Sequence, residues 1–116
     1  MLNFTGKIKV YLAVGATDLR QGFAGLYGAT ENILKEDPKS GSLFVFSNQR
    51  HNRIKVLYYD GTGLWIMTKR LEQGTFSWPQ GVDDQEGKLS LSPEALGLLL
   101  DGVDMRSGKM RPWYQR

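Results

Sequence analysis

Six basic side chains, Lys39, Arg50, Arg53, Lys55, Lys69 and Arg70, fall between Pro38 and Leu71, where Asp60 is the only acid. Lys and Arg at that density neutralise phosphates, so the chemistry this stretch offers is polyanion binding. They sit within Leu43 to Glu72, LFVFSNQRHNRIKVLYYDGTGLWIMTKRLE, where β-rich runs alternate with a basic loop and a Gly-flanked turn. Tyr59, Trp65 and Trp113 can stack on bases only if they are exposed. The expected nucleic-acid-binding set is Arg50, Arg53, Lys55, Lys69 and Arg70, joined by Arg106, Lys109 and Arg111 of a basic tail.

Bond-making chemistry is harder to assemble. His51 is the single histidine and there is no Cys, which removes His-rich metal sites, thiolate chemistry and disulfides. Asp18, Asp60 and Glu72 could be drawn as a magnesium site for phosphoryl transfer, yet each has a local task. Asp18 caps a helix, Asp60 opens a turn and Glu72 follows Lys69 and Arg70 at a strand end. Gly22-Phe23-Ala24-Gly25 with Gly28 resembles a phosphate loop but lacks its Lys-Ser/Thr. No catalytic residue, metal ligand or cofactor is therefore expected, and His51 is read as a polar loop residue.

At 116 residues, 41% hydrophobic and 23% charged, the chain has the composition of one soluble globular domain able to bury its own core, and its order of elements is α+β. No run reaches the roughly 18 apolar residues of a membrane span, and the N-terminus lacks the order of a signal peptide. A cytoplasmic, membrane-free protein is expected. The net charge of +3 is unevenly spread. Residues 72–104 hold seven acids and only Lys88, whereas residues 105–116 hold Arg106, Lys109, Arg111 and Arg116 with no acid. The domain is expected over residues 1–104, with 105–116 an extended or mobile basic tail.

The elements that must position these cations follow from periodicity. Lys7 to Val14 alternates as a half-buried strand. Asp18, with Gln21 three places on, signals a helix start, and Phe23, Leu26, Thr30, Ile33 and Leu34 extend a first helix from Leu19 to Glu36, before Pro38. Its glycines, Gly22, Gly25 and Gly28, are expected to be compensated by close packing on the sheet. Strands follow at Leu43–Phe46, Arg53–Tyr59 and Leu64–Arg70, the last two joined by the turn Asp60-Gly61-Thr62-Gly63. That turn makes residues whose numbers sum to about 123 face each other. Ile54, Val56, Tyr58, Trp65 and Met67 then share a core face with Lys69 at its margin. Arg53, Lys55 and Arg70 lie on the other face, which is apolar near the turn through Leu57, Leu64 and Ile66. A fifth strand is expected at Gly74–Trp78, with a further short edge strand at Lys88–Leu91. Ser92-Pro93-Glu94 opens a second helix whose buried stripe is Leu96, Leu99, Leu100 and Val103. The expected fold is an antiparallel sheet of about five strands packed with two helices. Core packing is expected for Tyr58, Trp65, Phe76 and Trp78.

VGATDLRQGFAGL, DPKSGSLFVFSNQR, IKVLYYDGTGLWIMTKRLEQGTFSWP and LSPEALGLLLDGVD, in that order, resemble the small accessory proteins called TnpB or Orf2 of the IS-66 family of bacterial insertion sequences. The joint spacing of Thr17-Asp18-Leu19-Arg20, Lys55 to Gly61, Lys69 to Glu72 and Trp78-Pro79 carries the likeness, which spans Lys7 to Met105. Family members often have a more arginine-rich loop where this chain has Ser47 to Asn52. The resemblance implies a protein encoded beside a separate transposase and acting with it during transposition, and it supplies no catalytic residue. Two expectations stand side by side: DNA binding through the basic hairpin end, and an adaptor that contacts the transposase or another element-encoded protein without touching DNA.

Overall fold

The computed structural model describes residues 7–79, 87–104 and 109–110. Its elements run β1 (Val10–Ala13), α1 (Gly22–Asn32), β2 (Leu43–Ser47), β3 (Arg53–Tyr59), β4 (Leu64–Arg70), β5 (Lys88–Leu91), α2 (Pro93–Leu100), β6 (Val103–Asp104) and β7 (Lys109–Met110). The first five strands form one sheet in the order β4-β3-β2-β1-β5, and β6 pairs with β7 in a small ribbon. The architecture is α+β. The sheet is mixed rather than antiparallel throughout, because β1 and β2 run parallel, Val10 opposite Leu43. The chain crosses from one to the other through α1, the kind of long connection that a parallel pair requires.

Each sheet face is covered by one helix. On one side Leu96 and Leu99 of α2 pack on Val10, Leu12, Val45, Ile54 and Val56. On the other, Leu26 and Leu34 pack with Phe44, Phe46 and Leu57. Central strand β2 is buried along its whole length, which explains its unbroken apolar run, Leu43 to Phe46. The β3–β4 register follows the turn, with Val56 opposite Met67 and Arg53 opposite Arg70. Asp60 holds that turn by accepting from Thr62 and Gly63 N–H and from the Thr62 hydroxyl. These bonds, with one from Trp65 Nε1, hold its carboxyl well below the usual range.

Several local expectations change. The first helix begins as a 3-10 turn, Leu19–Gln21, capped by Asp18 through Arg20 N–H at 3.0 Å. Gly22 at φ 67° then separates this turn from α1, a conformation that favours glycine. The helix ends at Asn32 rather than Glu36, because Lys35 takes a left-handed conformation and Glu36 N–H turns back to Thr30 O. Close packing on the sheet is not what compensates the glycines. A side chain at Gly25 would run into Gln21, and one at Gly28 would meet only Asn32.

Gly74–Trp78 is not a strand. Phe76, Ser77 and Trp78 are buried in succession, without the alternation of an edge strand, and the segment is tied to loops instead. Phe76 N–H donates to His51 O at 2.7 Å and Trp78 Nε1 donates to Val14 O at 3.1 Å. The fifth strand is Lys88–Leu91, antiparallel to β1. Trp65 leaves the expected core: it is 45% exposed on edge strand β4, its Nε1 donating to Asp60. Tyr58 is half-buried. Val103 falls in β6 rather than α2. The tail expectation at 105–116 lies largely outside the described residues, although Lys109–Met110 forms β7.

Helix α2 starts as expected. Ser92 accepts from Ala95 N–H at 3.0 Å, Pro93 is the first helical residue and Glu94 sits in the first turn. Ser92→Ala should therefore lower stability by about 1 kcal/mol in denaturant titration. An unchanged midpoint would show that the cap contributes nothing.

Candidate nucleic-acid interface

The α1 side of the β3–β4 hairpin and the loop from Ala16 to Arg20 enclose a cleft of about 850 Å³. Strand parity puts Arg53, Lys55, Thr68 and Arg70 on this side, since Leu57 of the same parity lies under α1. The loop contributes Thr17, Asp18 and Arg20, and the β2–β3 connection contributes Asn48 and Gln49.

Arg53 and Arg70 face each other directly across the two strands. Asp60 N–H bonds Gly63 O and Leu71 N–H bonds Asn52 O, so the hydrogen-bonded pairs are those flanking Arg53 and Arg70. The two arginines thus occupy a non-hydrogen-bonded pair, the closer of the two spacings. Like charges directly opposite destabilise a sheet. Among the described residues Asp18 is the only carboxylate in the cleft wall, and it is engaged by Arg20, Nε to Oδ1 at 3.0 Å and Nη2 to Oδ2 at 3.1 Å. That guanidinium and the Arg20 N–H hold the Asp18 carboxyl down at about 2. Lys55 Nζ donates to Leu19 O at 2.8 Å, which pins the loop to the sheet. The Thr17 hydroxyl is buried in the same wall with no hydrogen-bond partner among the described residues. The surface thus carries an excess of positive charge, the equipment of an anion site.

The sequence-derived set divides. Arg53, Lys55 and Arg70 line the cleft. Arg50 is exposed on the adjoining loop and is not part of the wall. Lys69 has the opposite parity and donates to Leu100 O at 2.7 Å, on the α2 side. Arg106 and Arg111 lie outside the described residues, and Lys109 is placed only by its backbone, opposite Asp104. Arg20 belongs to the cleft and was missed, because its spacing reads only as the first turn of a helix. The Asp18-Arg20 juxtaposition was the available signal. His51 is more than a polar loop residue: it sits at φ 56°, stacks on Trp78 with centroids 5.5 Å apart, and its Nδ1 is 3.1 Å from Ser47 Oγ. Among the described residues no three His, Asp or Glu side chains converge as metal ligands.

Residues 8–110 match the family described as IS66 Orf2 like protein. The chain belongs to this family. It is 39% identical over 106 residues to the uncharacterized protein y4hO of Sinorhizobium fredii, covering 91% of this chain and 90% of that one. A second uncharacterized protein of the same organism, y4jC, is 36% identical over 105 residues, 90% and 87% of the two chains. No solved structure matches. Membership of the IS66 Orf2-like family ties the chain to transposition by insertion sequences. No helix among the described residues is long and apolar enough to cross a membrane.

The Asp18–Arg20 pair gives a pH-dependent prediction. The folded carboxyl titrates near 2 against an ordinary 3.8, so its contribution is present above 3.8 and lost as pH falls toward 2. Asp18→Asn should lower the melting temperature near neutrality, and its gap from wild type should close across that window. A gap independent of pH would mean that the charge is irrelevant.

Proposed function

We propose that this IS66 Orf2-like chain is a non-enzymatic accessory protein of transposition that holds DNA by its phosphate backbone in the Arg20–Arg53–Lys55–Arg70 cleft. The observation that carries this reading is the Arg53–Arg70 pair, two like charges at the closer cross-strand spacing. Such a pair is relieved when an anion joins it. Among the described residues the cleft wall contains no aromatic side chain, which favours backbone contact over base stacking. Arg50, at the rim, extends the positive surface, and Arg106, Lys109 and Arg111 would add tail contacts.

Titrating the protein with transposon-end and random duplexes at increasing salt tests this. With Arg53, Lys55 and Arg70 each neutralising one phosphate, log K against log salt should slope at roughly −3, about −0.9 per contact, for both sequences. No complex at low salt, together with co-purification of the element's transposase, would replace DNA binding with the adaptor reading.

A further inference from the structure

The two edges of the five-stranded sheet are unlike. β5 is four residues long and is followed at once by Ser92 and Pro93. β4 is seven residues long, pairs with β3 through seven consecutive positions without a bulge, and contains no proline. Among the described residues no strand lies beyond it. Long edges are ordinarily blunted by shortness, proline, bulges or central charges, and β4 carries its charges, Lys69 and Arg70, only at one end.

The hydrogen-bond parity decides what this edge presents. Gly63 and Leu71 bond toward β3, so the odd-numbered residues of β4 do likewise. Leu64, Ile66, Thr68 and Arg70 therefore direct their backbone N–H and C=O outward. We propose that β4 is a dimerisation edge, pairing antiparallel with β4 of a second copy about a two-fold axis at Met67.

This register is self-complementary. Leu64 meets the second copy's Arg70 and Ile66 meets its Thr68 as hydrogen-bonded pairs, so the edge groups of all four outward residues are used. The odd residues form the closer, non-hydrogen-bonded pairs, with Met67 opposite Met67 and Trp65 opposite Lys69. The Trp65 ring is 45% exposed and held in place by Asp60, an apolar face against which the aliphatic stem of the opposing Lys69 packs. No like charges lie opposite each other, because Lys69 and Arg70 face Trp65 and Leu64. Met67 also lines an apolar groove of about 300 Å³ between the sheet and α2, with Val56, Leu96 and Leu100, so its partner methionine extends that core across the axis. Pairing would make one ten-stranded sheet with both basic clefts on the same face, their Arg70 positions roughly 20 Å apart along the strands at about 3.4 Å per residue. The dimer goes beyond the DNA reading and stands without it.

The chain has no cysteine, which makes a single introduced thiol diagnostic. Sedimentation should give a concentration-dependent mass approaching twice the 13.1 kDa of the chain. Met67→Cys should form an intermolecular disulfide readily, since two-fold placement puts the thiols within bonding reach, whereas Leu64→Cys, facing Arg70, should not. Thr68→Pro removes an outward N–H while sparing the β3 ladder, and should yield monomer with unchanged circular dichroism. If that variant fails to fold, the Met67→Cys and Leu64→Cys comparison still decides the register. A monomer at every concentration overturns the proposal, as does equal cross-linking at both positions or a dimer that survives Thr68→Pro. A monomer whose co-purification with transposase is lost in Thr68→Pro also overturns it, assigning the edge to a strand of the transposase.

Discussion

Arg53→Glu combined with Arg70→Glu is expected to weaken binding to duplexes of any sequence by roughly tenfold or more and to reduce the salt slope by about 1.8, two phosphate contacts at about 0.9 each. Its melting temperature should stay near wild type, because one like-charged pair replaces another at the same cross-strand position. The single variant Arg70→Glu makes the sharper contrast. It places opposite charges at the closer spacing and should raise the melting temperature while lowering DNA affinity. A surface whose removal stabilises the fold while costing binding is one shaped by a ligand. Gel shifts and thermal melts on the same preparations check both halves, and a single variant that loses stability would show that the two arginines are neutralised by something inside the protein.

Trp78→Ala should cost about 3–5 kcal/mol in chemical denaturation, the range for truncating a buried aromatic. Trp78 is 4% exposed, stacks on His51 and bonds Val14 O, so it joins the β2–β3 loop, the 71–78 segment and the end of β1. Trp78→Phe keeps the stacking surface and loses the hydrogen bond, and should cost only about 1 kcal/mol. Equal losses for the two would place the energy in the hydrogen bond instead. The same stack gives stability a pH dependence. Burial lowers the His51 pKa from its ordinary 6.5, so the unfolded chain takes up a proton first as pH falls. Stability should decline as pH drops from 6.5 toward the depressed native value, and His51→Gln should remove that decline.

Features decided within a few residues were legible. The Asp60–Gly63 turn sets the β3–β4 register because a hairpin's loop determines which residues oppose, and that register alone placed Arg53 against Arg70. The Asp18 and Ser92 caps are bonds spanning two and three residues. Phe76 and Trp78 illustrate the opposite case. Their spacing matches a strand, yet their partners are His51 and Val14, remote in sequence, and those contacts rather than a ladder hold the segment.

The chain's residues by themselves determined the α+β composition, the hairpin and its parity, the Asp18 and Ser92 caps, the basic character of one hairpin end and the likeness to IS66 Orf2 proteins. All rest on periodicity, short-range hydrogen bonding or side-chain type. The tertiary structure decided the parallel β1–β2 pairing and which cations share a cleft. Arg20 enters because Lys55 draws its loop onto the sheet, whereas Lys69 leaves because odd parity turns it toward α2. Trp65 is exposed although its parity is that of the core face, because β4 ends the sheet. Membership of a surface depends on which faces are covered and which strand is the edge, and those are set by contacts between segments far apart in the chain.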